Sequence, residues 1–535
     1  MRRKSIQLTG VTLIAMLSAA GAPTTAKSDV RVVDAAAQQD MATVRALIKQ
    51  HVDVNSTRAD GSTALLWASH WNDLAAVDLL LHSGAKVNVG DDYSVTPLDM
   101  AAENKSIGMI EKLLNAGADP NVAQTGGLTP LMIAAHTGSL EVVKALLARG
   151  AKVEAGTKET KNTALMWAVA DRFPEIVKVL IEAHADVHAS TTNGFTPLLY
   201  AAQNGDIDMA KTLIAAGVKV NETGSDGTHP LPFAIVRGQG AFALFLLDQG
   251  ADPNGGLGGI RALHAAAGPV DLWLMDWSPA HGGGGRYYMG GGRGLNPAMR
   301  LQIVKALLAK GADPNARITS SALMMVYIGY PKKGAFEPFA CGTGDMRGAT
   351  PLVVAAYAAS GSQLQIMEYS RMNRTDGYSE IIRALLQAGA DQRLTTDDGT
   401  TPLMWAAGLG GATFTPGEPR GYRMTGAEAA VKVLVEAGGD INAVNEADFT
   451  ALHGAAMRGL NEVVQYLVEH GANINARDYR GRTPFRLAEG SKQSFQFQAF
   501  PETAELIKKL GANTSLGMPG TVQERAPREV ATAGK

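Results

Sequence analysis

The chain has 535 residues, more than one compact core holds, so several domains or a repeat array are expected. A hydrophobic share of 46% and a charged share of 19% exclude wholesale disorder, and sixty glycines point to many turns. The formal net charge of −2 excludes a global pull toward nucleic acid or anionic membrane, and the single cysteine, Cys341, excludes an internal disulfide.

The first element, residues 1–26, has the layout of a secretory signal peptide: the basic stub Arg2, Arg3 and Lys4, an apolar run near Ile6 to Ala20, then small residues. The run is short for a membrane span and is interrupted by Gln7, Thr9 and Gly10. Thr24 and Ala26 supply the small pair before cleavage. Removal takes away three positive charges and leaves 46 against 51, a net −5. A periplasmic or secreted protein is expected, held together by burial alone.

From residue 29 the chain repeats itself. Thr63, Thr96, Thr129, Thr163 and Thr196 open successive copies at steps of 33, 33, 34 and 33, and the series continues at Thr228, Ile260, Ala349, Thr401, Thr450 and Thr483. An opening copy from Val32 lacks the threonine and is more polar. About twelve copies result. In each, threonine caps a short helix and proline fits its first turn. Paired alanines keep that helix slim. A second helix, such as that of Val142, Val143, Leu146 and Leu147, ends at a left-handed glycine, Gly150, and an Asp/Asn stretch turns the chain.

The phrase "GLTPLMIAAHTGSLEVVKALLARGAKVE" and its sisters resemble ankyrin repeats over roughly residues 29 to 514. The resemblance implies an all-α solenoid with short β-hairpin-like fingers, regular over 29–260 and loop-bearing over 261–514, with a polar tail at 515–535 expected to be disordered. It implies recognition of another protein, by a monomer, through one face and the fingers. It implies no catalysis, cofactor or metal. The polar residues following the alanine pair fall on that face: His70, Trp71, Glu103, Asn104, His136, Gln203, Asn204 and Arg458. A plain solvated surface is the alternative reading of the same residues.

Four copies carry insertions at one place, between their two helices: 29 extra residues after Arg261, 18 after Thr350, 16 after Thr401 and 7 after Thr483. In a stacked array these loops share one edge, where binding surfaces often form. The longest holds Trp273, Trp277, Arg286, Tyr287, Tyr288 and Arg293, and the third holds Tyr422 and Arg423, residue types favoured as interface anchors. Two alternatives stay open: the aromatics close over the repeats, or the loops build a pocket for a small ligand or substrate. Between copies, "SSALMMVYIGY" resembles a first helix without a second, followed by a loop with Cys341, which no neighbouring His or Cys marks as reactive.

No stretch reads as a phosphate loop, a metalloprotease helix or a nucleophile turn. His184 and His188 fall at slots that elsewhere hold the helix-ending glycine and the turn asparagine, so they do not form a metal pair on one helical face. Trp67, Trp167 and Trp405 recur in one slot, held elsewhere by Met100 or Ile133, which reads as core packing.

Overall fold

The computed structural model describes residues 29–274, 277, 294–320, 347–360, 377–410, 424–490 and 499–517. Among them lie 24 α-helices, which pair as twelve helix-turn-helix repeats. The threonines do what their position predicts. Thr63, Thr129, Thr163, Thr196, Thr350 and Thr401 each accept a hydrogen bond from the backbone N–H three residues on, satisfying a donor that the helix itself leaves free. Pro97, Pro130, Pro197 and Pro351 follow at the first helical position, where the missing N–H costs nothing.

The chain divides into two compact units, Met1–Thr125 with Ala148–Ala151, and Gly126–Leu147 with Lys152–Lys535. The first holds three repeats, whose first helices are Arg31–Ala37, Ala64–His70 and Pro97–Glu103 and whose second helices are Met41–Lys49, Leu74–His82 and Ile107–Asn115. The alanine pairs are the reason the first helices pack so closely: Ala101 and Ala102 are fully buried, as are Ala134, Ala135, Ala201 and Ala202 in the second unit. One apolar stripe of each second helix closes the core, as with Met109, Ile110 and Leu113.

Between repeats the fingers are built from turns. A single strand pair, Gly256–Leu257 with Ile260–Arg261, is found among the described residues. Elsewhere backbone bonds close the fingers, as from Asp91 N–H to the Val95 carbonyl (3.1 Å) or Thr191 N–H to the Phe195 carbonyl (2.9 Å), each with a tighter turn bond inside it. Neighbouring fingers are joined by another, Asp92 N–H to Asp60 (2.9 Å) in the first unit and Glu446 N–H to Asp398 (2.9 Å) in the second.

The asparagine that ends each repeat phrase does more than turn the chain. Asn88 donates from Nδ2 to the Gly117 carbonyl (3.1 Å), and its Oδ1 accepts from Asp119 N–H (2.8 Å), so one side chain clasps the next repeat at two points. Asn55, Asn221, Asn254, Asn315 and Asn442 repeat this clasp. Glu154 holds the same slot and keeps half of it, accepting from Asp186 N–H (2.8 Å).

The left-handed slot where a first helix ends is held without glycine by Asn72, Lys105 and Arg172, but at two copies the next repeat leaves no room for a side chain. Gly138 has φ +79° and a Cβ there would collide with the Phe173 ring; Gly459, at φ +68°, faces Phe500 in the same way. At the end of a second helix, where Gly150 stands one repeat earlier, His184 takes the left-handed conformation at φ 64° without glycine.

The insertions lie between helices, as their sequence position requires. The longest runs from Ala262–Ala267 to Pro297–Ala309, and the third from Pro402–Ala406 to Thr425–Glu436. The stretch resembling an unpaired first helix, Cys341 and the tail from 518 onward lie outside the described residues.

Candidate functional site

The ends of the first helices carry the residues singled out above. Within each unit repeats are in register, so each end sits beside the next, about 33 residues further along the chain in the copies without insertions. A helix end leaves carbonyls without intrahelical donors. Side chains of neighbouring repeats supply them. Asn104 donates from Nδ2 to Ser69 (3.0 Å) and His70 (2.9 Å), and Asn204 donates to Ala170 (2.8 Å). Trp71 Nε1–H reaches the Ala37 carbonyl (3.2 Å), and Gln239 donates to Gln203 (3.0 Å). Arg172 donates to the Asn204 carbonyl (2.7 Å). Asn104, Trp71 and Arg172 are therefore both exposed and structural, while Asn204 and Gln239 are half-buried.

His70, Glu103, His136 and Gln203 stand on the surface. His136 Nδ1 lies 2.6 Å from Asp171 Oδ2, and its ring meets Trp167 edge-on at 4.6 Å. In the first unit Trp67 and Trp71 stack at 6.3 Å with 28° between planes, His70 packs edge-on to Trp71 at 4.7 Å, and the Arg58 guanidinium lies over Trp67 at 5.5 Å. The slot shared by Trp67, Trp167 and Trp405 is not uniformly core. Trp405 is fully buried, whereas Trp67 and Trp167 are half-exposed and line the first-helix face.

The insertion residues separate. Trp273 is buried, 2% exposed, with its ring edge-on to Tyr357 at 6.2 Å, and Tyr357 meets Trp405 at 5.5 Å. The structure thus places Trp273 in the core and not on a surface a partner can reach. Trp277 lies back on the preceding finger, donating from Nε1 to Asp226 Oδ2 (3.1 Å) and meeting Phe233 at 6.0 Å. Arg458 is half-buried beside Met424 Sδ (3.7 Å). Arg286, Tyr287, Tyr288, Arg293, Tyr422 and Arg423 lie outside the described residues, and with them the choice between a cap and a pocket.

One buried slot carries titratable groups that sequence reading passed over. His264 and His453 stand three residues after their caps, fully buried. His453 Nδ1 accepts from Thr450 N–H (3.1 Å) and His264 Nδ1 from Arg261 N–H (3.0 Å), so Nε2–H is free to donate to Arg482 (3.3 Å) and Ala316 (3.0 Å) in the next finger. Burial pushes both rings down to about 4. Asp99 fills the slot in the third repeat. Its Oδ2 accepts from Thr96 N–H (2.8 Å) and Oγ1–H (2.9 Å), its Oδ1 has no partner, and burial pushes the carboxyl up to about 7. The signal was in the alignment of copies: an acid stands where Met132, Met166 and Leu199 stand elsewhere.

His184 and His188 do not converge, since His188 Nδ1 pairs with Glu222 Oε2 at 2.7 Å. Among the described residues no group of three or more His, Cys, Asp or Glu side chains is placed to hold a metal ion, and no helix is long and apolar enough to cross a membrane.

The curated proteins give no match to the chain. The family model described as ankyrin repeats in three copies matches residues 33–124, 98–191, 174–255 and 423–498, together more than half of the 535 residues. With twelve helix pairs, capped threonines and clasped fingers in the structure, the chain belongs to the ankyrin-repeat family.

Proposed function

We propose that this is an exported protein-binding scaffold that holds a partner protein on its first-helix face and on the edge bearing the insertions. Ankyrin repeats are in general protein–protein interaction modules. The observation that carries the reading for this chain is the exposed polar and aromatic side chains at the first-helix ends within each unit: His70, Trp71 and Glu103 in the first, and Gln203 and His136, the latter paired with Asp171, in the second. Helix ends in each unit are tied to neighbours by cross-repeat hydrogen bonds, so each set is pre-ordered and little entropy is lost on binding. The export part of the reading rests on the signal-like residues 1–26, and no catalytic step is assigned.

The test is affinity capture with tagged, exported protein, comparing the full chain with a variant in which the insertions after Arg261, Thr350 and Thr401 are replaced by the short turns of regular copies. The reading expects a dominant captured protein whose retention drops in the variant. A purified protein that retains a small molecule and captures no protein would move the assignment to a ligand pocket.

A further inference from the structure

Three asparagines in the chain are followed by glycine: Asn193, Asn204 and Asn254. Asparagine is most labile in this context, because the glycine N–H is unhindered and can close on the asparagine side chain. Two of the three are held. Asn204 is half-buried at a helix end and donates from Nδ2 to the Ala170 carbonyl (2.8 Å). Asn254 donates from Nδ2 to the Gly311 carbonyl (3.0 Å) and accepts at Oδ1 from Asp313 N–H (2.8 Å).

Asn193 is placed differently. It stands exposed in a finger, and its side chain makes no hydrogen bond among the described residues. Other copies show why. The same slot, ahead of the first helix, holds Asp60, Asp226 and Asp398, and each carboxylate is pinned by the backbone N–H two residues on, that of Ser62 (3.0 Å), Thr228 (3.0 Å) and Thr400 (3.2 Å). Behind Asn193 that place falls to Phe195, whose N–H is already taken by Thr191 Oγ1 (2.8 Å). The side-chain amide of Asn193 is thus left untied beside Gly194, whose own N–H rests on the Thr191 carbonyl (3.0 Å).

We propose that Asn193 is a self-modification site, deamidating in the folded protein while Asn204 and Asn254 stay intact. The Gly194 nitrogen gives its proton to water or hydroxide and bonds to Asn193 Cγ, the bond from Cγ to the side-chain nitrogen breaks, and ammonia leaves. Water then opens the cyclic imide at either carbonyl, leaving aspartate or isoaspartate. The two products differ in consequence. Aspartate is the residue that Asp60, Asp226 and Asp398 already bring to this slot. Isoaspartate adds a carbon to the main chain next to Gly194, which is buried against the following finger: a Cβ on Gly194 would lie 2.7 Å from Asp226 Oδ1, and one on Gly224 would lie 2.0 Å from the Gly194 carbonyl oxygen. Asp226 Oδ2 also accepts from Trp277 Nε1–H (3.1 Å), so the strain reaches a residue of the longest insertion. The site does not depend on the scaffold reading above.

The experiment ages the purified full chain at neutral and at mildly alkaline pH, with a urea-unfolded sample beside it, and quantifies each asparagine peptide and its two acid products by chromatography and mass spectrometry. The folded chain should convert at Asn193 at least about tenfold faster than at Asn204 or Asn254, since the hydrogen bonds holding those two must open first, and the unfolded chain should convert all three at similar rates. Conversion should quicken at the higher pH, where the Gly194 nitrogen loses its proton more readily. Hydrogen exchange on the aged chain should show the Gly224 and Gly227 amides losing protection by roughly tenfold, and Asn193→Gln, which cyclises far more slowly, should keep it after the same time. Folded-state conversion at Asn193 no faster than at Asn204 or Asn254 overturns the proposal. An aged chain rich in isoaspartate whose Gly224 and Gly227 amides stay as protected as in fresh protein overturns the link to the following finger.

Discussion

Asp99 sets up a pH dependence of unusual sign. Its carboxyl is fully buried, one oxygen has no partner, and burial outweighs the two hydrogen bonds from Thr96, with Asp91 and Glu103 adding repulsion. The folded state therefore holds the proton more tightly than the unfolded chain, from the ordinary 3.8 up to about 7. A raised carboxyl means that stability is greatest where the group is protonated and is lost as pH rises between those two values. Integrated from pH 5 to pH 8, the loss is on the order of 2–3 kcal/mol, a large part of the roughly 5–15 kcal/mol of a typical domain. Hydrogen exchange, corrected for the intrinsic rate at each pH, reads this locally: amides of Pro97–Glu103 and Ile107–Asn115 should lose protection toward pH 8. Asp99→Asn, which cannot ionise, should flatten the profile. A wild-type chain whose first-unit amides gain protection toward pH 8, or an Asn variant with the wild-type slope, would refute the reasoning.

The buried histidines predict the opposite trend in the second unit. With folded values depressed to about 4 from 6.5, His264 and His453 stabilise fully above pH 6.5, and protection of Ala451–Arg458 should fall as pH drops toward 4, by up to about 3 kcal/mol per ring. Gly138→Ala combines left-handed strain with a collision against Phe173 and should cost about 2–3 kcal/mol in urea unfolding. Gly250→Ala, at φ +86° with open space around it, carries the strain alone and should cost about 1 kcal/mol. Asn88→Ala removes both halves of one clasp and should lower stability by about 1–2 kcal/mol, read from the thermal unfolding of the first unit.

The repeat, its caps and its helix-ending glycines were legible because each has a local cause: threonine caps its own helix, and glycine takes a φ its neighbours in the chain impose. What escaped was anything whose partner lies one repeat away. Asn88 reads as a turn residue until Gly117 and Asp119 come alongside, and Asn104 reads as free surface until it is seen closing the end of Ala64–His70. The tryptophan slot misled for the same reason. One position is core at Trp405, where Tyr357 covers the ring, and half-open at Trp67, which meets Arg58, His70 and Trp71 and donates from Nε1 to Ser62 (3.1 Å). From the sequence Trp273 reads either as an interface anchor or as a ring closing over the repeats, and the buried place that Tyr357 gives it fits the second.

The central claim is that a partner protein sits on the first-helix face. Photo-reactive residues placed at Glu103, His136 and Gln203 on that face, and at Lys144, Lys178 and Lys211 on the second helices, test it most directly when the captured complex is irradiated and analysed by mass spectrometry. The account predicts cross-links to the partner from the first set and none from the second. Cross-links confined to Lys144, Lys178 and Lys211 would contradict it.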